Sequence, residues 1–131
     1  MPDAPTFYPV LSYRDAQAAS DWLLVAFGLA LRFQTPGPDG TVAHAELDYG
    51  NGVVMLGSGE PSPPPADWRQ TLQAVYVAGE EPDAHCERAR AAGAEITREP
   101  EDMDYGSREY SARDLEGHHW HFGTYRPAPG S

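Results

Sequence analysis

A chain of 131 residues is long enough to bury one hydrophobic core and short enough that a single compact domain is expected. Its 20 acids against 9 bases give a net charge of −11, which excludes electrostatic binding of nucleic acid; every base is arginine, which excludes Schiff-base and lysine-phosphate chemistry within the chain. Such acidity first serves solubility, and an arginine-only, alanine- and proline-rich composition points to a GC-rich bacterial genome, whereas a cleft attracting cationic ligands is the sharper reading.

Met1-Pro2-Asp3-Ala4-Pro5 has neither the basic nor the apolar region of a secretion signal, and no apolar run reaches membrane-span length. A cytoplasmic protein without a membrane partner is expected. A strand-like run from Phe7 to Tyr13 leads to Asp15, suited to cap a helix over 15–27 whose apolar Ala19, Trp22, Leu23, Ala26 and Phe27 recur at spacings of three and four. Gly28 supplies the left-handed stop. Leu29 to Gln34 returns as a strand into the turn cluster Pro36-Gly37-Pro38-Asp39-Gly40. Val42 to Tyr49 then alternates with period two, setting His44, Glu46 and Asp48 on one face against Ala45, Leu47 and Tyr49 on the other. Gly50-Asn51-Gly52 makes a hairpin, and Val53 to Leu56 is the fourth strand.

The proline-rich residues Gly57 to Ala66 suit neither a helix nor a central strand, and a linker over about 57–70 is expected to join two modules. Within the linker Trp68 lacks an evident core partner and is placed to cover a cleft or an intersubunit surface. Thr71 to Val77 is the next strand. Glu80-Glu81-Pro82-Asp83 opens a helix over 82–92, where acids and proline suit a first turn with unpaired amides. Cys86 on that helix, the single cysteine, has no partner for a disulfide or a zinc pair and reads as packing. After Gly93 a strand begins at Ile96 to Arg98, and the acidic 99–104 stretch reads as a loop bordering the ligand cleft. In the last strand Trp120 and Phe122 pack beneath the helices while His121 faces away from them.

The order of elements repeats. Gly28 and Gly93 stand 65 residues apart, as do Gly52 and Gly117, so each half is a βαβββ unit. This layout, with Leu11-Ser12-Tyr13-Arg14-Asp15 entering the first helix, Phe27-Gly28-Leu29 leaving it, and the closing Tyr105-Gly106-Ser107-Arg108-Glu109-Tyr110 and Arg113-Asp114-Leu115-Glu116-Gly117-His118-His119-Trp120-His121-Phe122, resembles the vicinal oxygen chelate superfamily. That superfamily holds glyoxalase I, extradiol dioxygenases, fosfomycin-resistance enzymes and bleomycin-resistance proteins. Leu115 stands where its Asp-Pro-x-Gly turn has proline. The resemblance spans roughly residues 6–126 and implies an α+β fold: two βαβββ modules forming a curved eight-stranded half-barrel pair with helices on the outer face. It implies modules at about 6–58 and 71–126 of one domain, a linker at about 57–70, and pairing into a homodimer that covers open sheet edges.

Metal-dependent members of that superfamily draw four ligands from the first and fourth strands of each module. Carried onto this chain, the first falls at Tyr8 and the last at His121, and the 65-residue offset gives Gln73 and Leu56, with Leu72 or Met55 after a one-residue slip. A leucine has no lone pair and a neutral tyrosine is a poor ligand, so only His121 is a conventional donor. No metal or other cofactor is therefore expected, and the cavity is read as lined by Tyr8, Gln73 and His121 with Leu56 as an apolar wall. A metal would return if His44 with Glu46 and His119 with His121 converged. Tyr105 is placed to stack on a ligand, and Arg108 to clamp a carboxylate or phosphate or else to pair with nearby acids. The expected function is metal-free binding of a small, partly aromatic, neutral or cationic ligand in the concave cleft. The alternative is a small lyase or isomerase using His121 as acid or base with Tyr8 or Glu46 assisting, or a divalent metal.

Overall fold

The computed structural model describes residues 4–130. The chain divides into two compact units between Pro63 and Pro64, inside the proline-rich segment. In the first unit the order is β1 (Val10–Tyr13), α1 (Ala16–Ala26), β2 (Ala30–Pro36), β3 (Val42–Tyr49) and β4 (Gly52–Ser58). The second repeats it as β5 (Val75–Ala78), α2 (Pro82–Ala91), β6 (Glu95–Asp102), β7 (Arg108–Arg113) and β8 (His119–Gly123). Each unit folds into its own four-stranded sheet, ordered β1-β4-β3-β2 and β5-β8-β7-β6, in which the first strand runs parallel to the fourth and the other pairs are antiparallel. The α+β architecture of two βαβββ modules is thus what the chain forms.

Local chemistry sets the helix ends. Asp15 accepts a hydrogen bond from the Ala18 amide at 3.0 Å, satisfying one of the unpaired N–H groups at the start of α1. Beyond the two helices Gly28 and Gly93 adopt φ of 78° and 93°, values that cost a side-chain-bearing residue dearly. Ala16, Ala19, Leu23 and Ala26 bury one stripe of α1, and Tyr13, Val42, Ala45, Leu47, Val54 and Leu56 are buried in the sheet it packs on. In the second unit Pro82, Cys86 and Ala89 of α2 are buried, as are Tyr110, Ala112, Trp120 and Phe122 of β7 and β8. Each large apolar side chain so buried contributes about 1.5–3 kcal/mol. Burial also pushes the Cys86 thiol above its ordinary pKa, as suits a packing residue.

One expected element is corrected. The acidic 99–104 stretch is not a loop up to the hairpin, because β6 continues through Pro100 to Asp102. The strand tolerates proline since it is the edge of its sheet, and the ladder with β7 is irregular between Arg98 and Glu101, where Pro100 has no N–H to give. Two strands are shorter than their sequence signals: β1 starts at Val10 rather than Phe7, and β5 at Val75 rather than Thr71. In the linker Asp67 caps a single helical turn, Trp68–Gln70, by accepting from the Arg69 amide at 3.0 Å.

Candidate functional site

Each sheet has one face under its helix and one open face, and cross-strand register decides which residues share the open one. In the first sheet Val10, Met55, Glu46 and Phe33 form one row across β1, β4, β3 and β2. The matching row of the second sheet is Tyr76, His121, Ser111 and Arg98 across β5, β8, β7 and β6. Met55, not Leu56, is therefore the counterpart of His121. Leu56 pairs with Ala45 and Leu11 on the side of α1 and is 1% exposed, so it is core and not the wall of a cavity.

The reason is one extra residue. The first hairpin pairs Asp48 with Val53, the second pairs Arg113 with His119, and the longer second turn advances every β8 residue by one relative to β4. Gln73 is outside the row for another reason: it precedes β5, exposed and outside the ladder, and Tyr76 is the β5 residue paired with His121. Tyr8 likewise precedes β1 and is partly exposed.

His121 is the centre of the second open face. Its Nδ1 lies 2.7 Å from Ser111 Oγ, Trp68 sets its ring edge-on at a centroid distance of 4.9 Å, and Nε2 is buried with no hydrogen-bond partner among the described residues. Burial, with the positive charge of Arg98 and then His119 adding to it and Glu109 opposing, holds His121 below the ordinary histidine pKa. Beside it Arg98 Nη2 donates to Glu109 Oε1 at 3.2 Å, and the Tyr105 hydroxyl donates to Glu109 Oε2 at 2.8 Å. This last bond, with burial, pushes the Tyr105 hydroxyl above its usual pKa. Glu109 crosses in front of Gly123, where a Cβ would stand 2.5 Å from Glu109 Cγ and 2.7 Å from Tyr76 Oη. Only glycine leaves room for both side chains. Tyr76 in turn donates to the Tyr125 carbonyl at 2.6 Å.

The other candidates are placed differently. Arg108 donates from Nε and Nη2 to the two Asp83 oxygens at 2.6 and 2.9 Å and from Nη1 to Asp102 at 3.1 Å, so of its two readings the structure shows the ion pair. In the first sheet Glu46 lies 2.9 Å from His44 Nε2 and accepts from Arg32 Nε at 3.3 Å. The hydrogen bond with His44 does most to hold the Glu46 carboxyl below the usual range. His119 donates its Nε2 proton to the Pro65 carbonyl at 2.7 Å, which removes that nitrogen as a metal donor. Among the described residues no group of three or more His, Cys, Asp or Glu side chains is arranged to hold a metal ion. The donors present do not fit the divalent ion of the metal-dependent proteins that the chain resembles.

Sequence reasoning missed Tyr76, Arg98, Glu109 and Ser111. The available signal was period two on β7, where Glu109, Ser111 and Arg113 alternate with Tyr110 and Ala112. Which β6 and β8 residues they meet depended on register.

Two βαβββ modules, each pairing its first strand parallel to its fourth, define a glyoxalase-type protein. A family model described as the Glyoxalase/Bleomycin resistance protein/Dioxygenase superfamily matches residues 7–122, and the chain belongs to that superfamily. An uncharacterized protein of Mycobacterium bovis is 33% identical over 125 residues, covering 91% of this chain and 82% of its own. The crystal structure of TioX from Micromonospora sp. ML1 superposes with a TM-score of 0.77 at 38% identity, covering 94% of this chain and 100% of TioX. A variant of the fosfomycin resistance protein FosX from Listeria monocytogenes, complexed with Mn(II) and a dihydroxypropylphosphonic acid, shares the fold with a TM-score of 0.68 at 14% identity, covering 90% of this chain and 88% of its own.

Proposed function

We propose that the protein binds a small molecule, without a metal, on the open face of its second sheet. The observation that carries this is His121: a ring fixed at Nδ1 by Ser111, edged by Trp68, and left with a buried Nε2 that no group among the described residues engages. Buried polar atoms are rarely left so unless a ligand or water completes them. The metal-free reading is supported by the donor set, in which Met55 stands where a fourth-strand ligand would and His119 is committed to Pro65. Titration of a library of neutral, cationic and anionic aromatics should give hits that quench tryptophan fluorescence and are lost in His121→Ala. Elemental analysis of untagged protein should find no stoichiometric transition metal. Hits indifferent to His121, or about one metal per chain that His121→Ala removes, would defeat the reading.

An enzymatic role on the same face is the second reading, and the neutral His121 imidazole favours it, since an uncharged ring near neutral pH is able to take a proton. Turnover by a purified hit, abolished in His121→Gln, would decide for it.

We also propose that two copies of the chain associate. Phe7 is 89% exposed and Leu72 is 99% exposed just ahead of β1 and β5, and both strands stand at the edge of their sheets. Sedimentation at micromolar concentration is expected to give a dimer; a monomer would refute the pairing.

A further inference from the structure

Among the described residues two buried side-chain polar atoms lack a hydrogen-bond partner, Arg98 Nε and His121 Nε2. Register places both residues on the open face of the second sheet, in one row with Ser111 between them. What each atom offers follows from its surroundings. An arginine Nε carries a hydrogen and has no lone pair to give. For His121 the tautomer is set by Ser111, a residue 3% exposed whose hydroxyl lies 2.7 Å from Nδ1. If Nδ1 were the donor, the serine proton would be left without an acceptor; donated to Nδ1, it satisfies both groups and leaves the ring proton on Nε2. Both unpartnered atoms are therefore donors.

Buried donors without an acceptor are costly, and the charge around these two is already balanced. Arg98 faces the Glu109 carboxylate at 3.2 Å, and His121 is held neutral by burial. Trp68 supplies an aromatic surface at the same place, half exposed and carried on a short turn of the proline-rich linker rather than on a strand. We infer that this face recognises a neutral planar compound through a carbonyl oxygen, which accepts hydrogen bonds from Arg98 Nε–H and His121 Nε2–H while its ring lies against the Trp68 indole. A carboxylate suits the site less well, because Glu109 already neutralises Arg98 and the chain carries a net charge of −11. The inference rests on the binding reading above and goes beyond it by naming the group that is recognised.

Calorimetric titration with three probes sharing one ring system, naphthamide, naphthalene and naphthoate, tests the two separately. Naphthamide should bind about tenfold more tightly than the others, the worth of acceptors meeting buried donors. His121→Phe keeps a ring without the donor, and Arg98→Lys keeps the charge opposite Glu109 without Nε; in each the preference should fall to about twofold or less. Nitrogen NMR of the wild-type protein should show His121 protonated at Nε2 and not at Nδ1, with the Nε2 signal moving on addition of naphthamide. Equal affinities with moving His121 signals would overturn the carbonyl assignment and leave the binding face standing, as would tightest binding of naphthoate. His121 signals unmoved by all three probes would overturn the binding face itself.

Discussion

Replacing Asp114 by alanine is expected to lower the unfolding free energy by about 3 kcal/mol, since a buried carboxylate that serves several donors leaves them all unsatisfied when removed. Asp114 is 7% exposed in the turn between β7 and β8. Its Oδ1 accepts from the amides of Glu116 at 3.1 Å and His118 at 3.0 Å, and its Oδ2 accepts from the Trp120 indole at 3.0 Å. Trp120 is the largest fully buried side chain, so its N–H would have no solvent to fall back on. Asp114→Asn should recover part of the loss, because the amide oxygen can still take the turn amides while the amide nitrogen would meet the indole N–H donor to donor. Urea unfolding should show a lower midpoint at unchanged slope. The pairing is isolated by a cycle with Trp120→Phe, in which the two substitutions together should cost less than the sum of each alone. A loss below about 1 kcal/mol for Asp114→Ala would mean that water or a neighbour replaces the carboxylate.

The same turn explains which parts of the molecule could be read from the sequence. Helix signals are local: Asp15 caps within three residues, Gly28 and Gly93 end helices by their own φ, and the spacing of Ala19, Leu23 and Ala26 needs nothing distant to be legible. His121 was found because it lies a short count beyond Gly117, the glycine of the turn that leads into β8. Leu56 was misplaced because the 65-residue repeat was carried across a hairpin that is one residue longer in the second unit, and a one-residue slip in a strand exchanges its two faces. The 99–104 stretch read as a loop, whereas β6 runs on through Pro100 to Asp102, which is tolerated because β6 is an edge, a property of the whole sheet. Arg98, Glu109 and Ser111 belong to the site through cross-strand pairing, and no spacing along the chain brings them to His121.

Acid is expected to weaken the second unit through His121. Its folded-state pKa lies below that of the unfolded chain, chiefly because burial penalises the charged ring, with Arg98 and His119 adding positive potential and Glu109 opposing them. The unfolded ring takes up a proton as pH falls through about 6.5, whereas the folded ring resists it, so the unfolded state binds more protons in that window and stability falls with falling pH. Above that window the stabilising contribution is fully present, and it declines down to the folded-state pKa. Unfolding in urea from pH 8 to pH 5 should therefore show the wild type losing stability more steeply than His121→Phe below about pH 6.5, the difference amounting to no more than one proton per chain. In Ser111→Ala the acid sensitivity of stability should persist, since burial and not the serine bond is the largest cause of the shift. Parallel curves for wild type and His121→Phe, or a wild type that gains stability below pH 6.5, would show that the ring is solvated and that the face around it is open to water.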